Sequence, residues 1–100
     1  MEKADAERKQ REENDRAEAD RLQREENERL EAQLYYARSL AYTKLSMFDK
    51  AQEDLSKAIK LDPNNPELYD AMADVYEKEN RYTASAAEYR QKARELRNKR

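Results

Sequence analysis

The side chains able to do chemistry in this chain are of two kinds, carboxylates and cations. Its 100 residues hold 23 Asp and Glu and 21 Lys and Arg, with no Cys and no His. That removes disulfides, thiolate nucleophiles, zinc-finger ligand sets and imidazole acid–base chemistry together. Paired carboxylates remain. For two carboxylates to act as acid and base, a desolvated cleft must drive their pKa values apart. A small, charge-rich chain offers no such cavity, and no Ser/His or metal constellation accompanies it. The chain is therefore expected not to be an enzyme and to need neither metal nor cofactor.

Two charge patterns stand out. Glu67, Asp70, Asp74 and Glu77 recur at spacings of three, four and three, which places them on one helical face. They could form a ledge for a basic peptide, or an ordinary solvated face whose Glu67 and Asp70 favour a helix N-terminus. Arg90, Lys92, Arg94, Arg97, Lys99 and Arg100 make the C-terminus basic, with Glu95 as the opposing charge. Phosphate or membrane-surface contact is one reading. The other is a soluble helix end that complements the helix dipole. With a net charge of −2 there is no global pull toward nucleic acid, and neither nucleic acid nor membrane is expected as a partner. No apolar run approaches the ~20 residues of a transmembrane helix, and the opening residues lack a signal-peptide stretch. A soluble, cytoplasmic setting is the expectation.

Positioning these groups falls to helices. The chain has no Gly and two Pro, where about seven Gly would be usual. Residues 1–31 hold 12 acidic and 8 basic side chains, and their large apolar residues are Met1, Leu22 and Leu30. Gln10-Arg-Glu-Glu-Asn14 recurs as Gln23-Arg-Glu-Glu-Asn27, and no heptad seam runs through the segment. Either a solvated helix held by Glu/Arg pairs or partial disorder fits this composition. One long helix could run on to about Leu45, with Asn14, Asp15 and Asn27 as possible interruptions. Leu30, Leu34, Ala37, Ala41 and Leu45 then form a stripe, thickened by Tyr35 and Tyr42, that looks wide enough to be buried. Residues 46–49 read as a turn. Ala51, Leu55, Ala58 and Ile59 predict a second helix ending near Leu61. The strongest breaker follows at 62–66, where Asn64 or Asn65 can cap the next helix with Pro66 in its first turn. Leu68, Tyr69, Met72, Ala73, Val75 and Tyr76 mark a third helix. A turn at 80–83 leads to a fourth, with Ala86, Tyr89, Ala93 and Leu96 inward.

A shift of 34 residues pairs Tyr35 with Tyr69, Ser39 with Ala73, Tyr42 with Tyr76, Phe48 with Tyr82 and Leu55 with Tyr89. That period and the helix-turn-helix layout resemble the tetratricopeptide repeat family, whose pattern is Trp-x2-Leu-Gly-x2-Tyr, then Ala-x3-Phe, then Pro. The first repeat reads Tyr35-x2-Arg38-Ser39-x2-Tyr42, Ala51-x3-Leu55, Ala58 and Pro63. The second reads Tyr69-x2-Met72-Ala73-x2-Tyr76 and Ser85-x3-Tyr89. Arg38 departs from the family's Leu, and the usual glycines are replaced by Ser39, Ala73, Ser46 and Asn80. In the last helix Ala93 falls one place late, which a longer turn at 81–83 would explain. The fold class that the resemblance implies is all-α. Two tetratricopeptide-like αα-hairpin repeats, about 32–65 and 66–99, form an α-solenoid fragment over 32–100, preceded by a charged helical extension at 1–31.

The resemblance also implies what such a chain does. Repeats of this family bind an extended peptide on the concave surface lined by the first helix of each repeat. Carried over, that surface is Gln33, Tyr36, Ala37, Leu40, Thr43 and Lys44 in the first repeat. In the second it is Glu67, Asp70, Ala71, Asp74, Glu77 and Lys78. The basic clamp with which some members hold the acidic tails of chaperones is missing. A protein-interaction scaffold with a protein or peptide partner is the expected function. Two repeats also leave an apolar end around Tyr36, Leu40 and the Leu30–Leu34 edge, so self-association, most simply as a homodimer, is expected. The rival reading is an engineered helical assembly protein with no natural ligand, which the absence of Gly, His, Cys and Trp favours.

Overall fold

The computed structural model describes residues 2–79 and 83–99, and side chains over 3–79 and 84–99. Among these residues the chain forms four helices and no strand: α1 (Glu2–Lys44), α2 (Phe48–Leu61), α3 (Pro66–Glu79) and α4 (Thr83–Asn98). With no Gly or Pro to interrupt it, α1 runs unbroken for 43 residues, about 64 Å at 1.5 Å per residue. It sets the 71 Å long axis of the molecule. Asn14, Asp15 and Asn27 do not interrupt it. Instead Gln10 donates to Asn14 at 3.2 Å, and Gln23 donates to Asn27 at 3.0 Å. The twice-repeated Gln-Arg-Glu-Glu-Asn run thus makes the same four-residue side-chain bridge twice. Arg21–Glu18 and Arg29–Glu26 ion pairs add local support. Residues 3–31 are all exposed, and burial begins at Ala32.

The remaining helices fold as two hairpins, α1 on α2 and α3 on α4, stacked through α2 against α3, with α1 also touching α3. The first turn is tight. Ser46 takes the left-handed conformation at φ 58. Met47 N–H bonds back to Tyr42 O at 2.8 Å, and Ser46 N–H to Thr43 O at 3.0 Å. This is the capping arrangement that usually recruits glycine. At the second break Asn65, not Asn64, caps α3: its Oδ1 accepts from Glu67 N–H at 3.1 Å. Pro66 occupies the first helical position, where its missing N–H is not needed. Residues 80–82, where the third turn was expected, lie outside the described residues, and with them the proposed cause of the one-place shift.

Small residues sit where helices cross. Ser39, Ala51, Ala58, Ala73 and Ala93 are each 0% exposed. Leu55, Met72 and Val75 fill the space between α2 and α3, with Phe48, Ile59, Tyr76 and Tyr89 closing over them. In α4, Ala86, Ala93 and Leu96 are buried and Tyr89 half-buried, the inward set that the spacing predicts.

The α1 stripe is a correction. Leu30, Leu34, Ala37, Ala41 and Leu45 are exposed, not buried. α1 instead turns Ala32, Ser39 and Thr43 inward, flanked by Tyr35, Tyr36 and Tyr42. Close approach to α2 selects small side chains on the helix axis and aromatic rings at its sides. Counting large aliphatic residues alone therefore picked the wrong face.

Candidate protein-interaction site

The first helices of the two hairpins meet at a cleft of about 150 Å³ lined by Ser39, Leu40, Thr43, Lys44, Ala71, Asp74 and Lys78. Residues four apart on α1 and on α3 face each other here, because both helices present one side to the same space. Leu40 is 42% exposed and gives the cleft an apolar surface. Thr43 is buried, and its hydroxyl donates to Ser39 O at 2.8 Å. Lys44 and Lys78 supply cations at one end, and Asp74 a carboxylate. A larger but shallow depression of about 590 Å³ opens at Ser46, Met47, Phe48, Asp49, Lys50 and Glu79. It belongs to the first turn rather than to a helix–helix groove, and it gathers none of the residues carried over from the resemblance.

Six of the twelve residues carried over, Leu40, Thr43, Lys44, Ala71, Asp74 and Lys78, line the cleft, with Ser39 beside them. Gln33 and Ala37 are exposed on α1 outside it. Tyr36 is half-buried and packs on two parts of the core, so it is less available than an exposed ring. Glu67 is exposed at the start of α3.

Asp70, Asp74 and Glu77 are engaged by α4. Arg90 Nη2 donates to Asp74 at 2.7 Å, and Arg90 Nε and Nη2 each reach Glu77 at 2.9 Å. Arg97 pairs with Asp70, which also lies 3.7 Å from Arg90. Hydrogen bonding to Glu77 and Asp74 raises the pKa of Arg90, and the same bond from Arg90 holds the Glu77 carboxyl below its usual value. The acidic stripe and two of the basic C-terminal residues thus satisfy each other across one hairpin. The stripe offers a basic peptide correspondingly less.

A second polar cluster had no signal in the sequence beyond the odd Arg38. Asp54, 2% exposed, accepts Arg38 Nε at 2.7 Å and Nη2 at 2.6 Å. This two-point bond raises the pKa of Arg38. The Arg38 guanidinium lies 5.7 and 5.8 Å from the ring centres of Tyr35 and Tyr42. Lys57 and Lys50 cover the same two rings at 5.6 and 5.7 Å. Cation and ring therefore alternate along α1 and α2, each cation gaining from the ring's negative face. Asp54 was unreadable because its spacing with Arg38 crosses a turn, not a helix face.

Among the described residues, no group of three or more acidic side chains is placed to hold a metal ion, and no helix is long and apolar enough to cross a membrane. In comparison with known families, a model described as TPR repeat matches residues 40–80. The match runs from the last turns of α1 through α2 to the end of α3. A comparison with curated proteins finds no match.

Proposed function

We propose that this chain, whose residues 40–80 match a model described as TPR repeat, is a non-catalytic protein-interaction scaffold that holds a protein or peptide segment in the α1–α3 cleft and also self-associates. Repeats of this kind generally mediate binding to proteins or peptides. The observation that carries the reading is the cleft itself. Two first helices converge on it, and Leu40 and Ala71 provide apolar contact between Lys44, Lys78 and Asp74. That mix suits an extended segment with one small apolar side chain and flanking charges of both signs, not a purely acidic tail. Of the carried-over residues, Leu40, Thr43, Lys44, Ala71, Asp74 and Lys78 are the proposed contacts. Gln33, Ala37 and Glu67 are the outer edge.

A cytoplasmic setting and the homodimer belong to the same proposal. Support for the homodimer is the exposure of Leu30, Leu34 and Leu40 on α1, and of Leu45 just past its end. Screening the whole chain against a peptide library and repeating the screen with Leu40→Glu tests the cleft. Hits that lose affinity with Leu40→Glu support it. Hits indifferent to that change place the binding elsewhere. If the library yields no binder and the chain forms only defined self-assemblies, an engineered helical assembly without a natural ligand becomes the better account; the absence of Gly, His, Cys and Trp favours that second reading.

A further inference from the structure

We propose that the outer face of α1 docks onto the same face of a second copy of the chain, with the two helices antiparallel. The inference rests on the self-association proposed above and gives it a surface and an orientation. Leu30, Leu34, Ala37 and Ala41 fall within about 60° of arc at 100° per residue. That arc lies across the helix from Ala32, Ser39 and Thr43, which face the chain's own core. All four are exposed, Leu34 at 73%. Residues 2–29 do not cover them, because they continue the same helix.

Spacings of four, three and four are those of a two-helix seam. The residue types then choose the direction. In an antiparallel pair centred between Tyr35 and Tyr36, Leu30 meets Ala41 and Leu34 meets Ala37. All four layers join a large side chain to a small one, which packs two helices closely and evenly. A parallel pair stacks Leu on Leu and Ala on Ala, leaving the two alanine layers loose. Charge points the same way. Antiparallel pairing brings Glu31 beside Arg38 of the other copy. Arg38 commits Nε and Nη2 to Asp54 yet remains half exposed, so it can take a second carboxylate. Parallel pairing brings Glu26 beside Glu31 instead, a like-charge contact.

The test uses the whole chain. Ala37→Glu changes a residue that is exposed in the monomer to another good helix former, so helicity should hold. In the pair it sets a carboxylate in each of two central layers and should weaken association by roughly 100-fold. Orientation is read by disulfide formation, since the chain has no cysteine of its own. Chains carrying Leu34→Cys are mixed with chains carrying Ala37→Cys. Antiparallel pairing predicts that the mixed disulfide dominates. Predominance of the Ala37→Cys self-disulfide would show parallel helices and overturn the proposal. If Ala37→Glu leaves the dimer intact while Leu40→Glu dissolves it, self-association stands and this face is wrong. A wild-type monomer at micromolar concentration removes both.

Discussion

Asp54 is nearly inaccessible to water, and both of its oxygens are taken by Arg38. Removing the cation leaves the carboxylate buried without its partner, an arrangement proteins tolerate poorly. Arg38→Met should therefore lower the melting temperature, and Arg38→Met with Asp54→Leu should recover part of the loss. A double variant no more stable than the single would show that Asp54 is not the cause. Ala51, 0% exposed in the buried cluster of Leu55, Ala71, Met72 and Val75, has no room to grow; Ala51→Leu should cost roughly 1–3 kcal/mol by overpacking, read from denaturant unfolding. Tyr69 gives a pH signature. Burial, with Asp62 adding its negative charge, raises its phenol pKa above the usual 10.0, and its hydroxyl donates to Pro63 O at 2.8 Å. A folded pKa above the unfolded one means that the stabilisation is complete below the unfolded value. It is lost as pH rises through the folded value. Stability should thus fall above about pH 10, and Tyr69→Phe should flatten that fall. At this scale the sequence marked Arg38 as out of place but not the carboxylate that explains it. Repeat arithmetic compares equivalent positions, whereas this pair joins a first helix to a second across a turn.

At the level of helices and their ends, two positions decide the connections. Asn65 caps α3 through Glu67 N–H, and Asn65→Ala should cost about 1 kcal/mol. Ser46 carries a left-handed φ that a side chain resists, and Ser46→Gly should stabilise by roughly 0.5–1 kcal/mol. Denaturant midpoints of the two variants should move in opposite directions; a destabilised Ser46→Gly would show that the hydroxyl itself matters. The helix count and most boundaries were legible, because Asp62-Pro-Asn-Asn-Pro66 and the 34-residue offset leave few alternatives. The inward face of α1 was not. On α2 and α3 the large aliphatic residues mark the core, and the same rule applied to α1 selected Leu30, Leu34 and Leu45. The true core side of α1 is built from Ala32, Ser39 and Thr43 with three tyrosines, a pattern with little hydrophobic contrast. Residues 1–31 balance on composition alone between helix and disorder; in the structure, 2–31 are helical as the continuation of a packed helix. Amide exchange should accordingly be fast before Ala32 and slow over 32–44.

Across the whole molecule, two hairpins make a short stack whose α4 end and α1 end differ. At the α4 end, Arg90 and Arg97 close over Asp70, Asp74 and Glu77, giving a polar, ion-paired surface. Among the described residues, the α1 end presents exposed leucines. Helical repeats gain much of their stability from neighbours, and a stack this short has only one such internal interface. The cleft between α1 and α3 was foreseeable in outline, since Leu40, Thr43, Lys44 and Asp74 came from the family pattern. Its limits were not, because the engagement of Asp70 and Glu77 by α4 depends on how the second hairpin closes. The most direct measurement of the account is the mass of the full chain in solution, by light scattering at micromolar concentration. The account predicts a species of twice the 12.0 kDa chain mass, dissociating on dilution with its helicity largely kept. A well-folded monomer that persists at every concentration would contradict it.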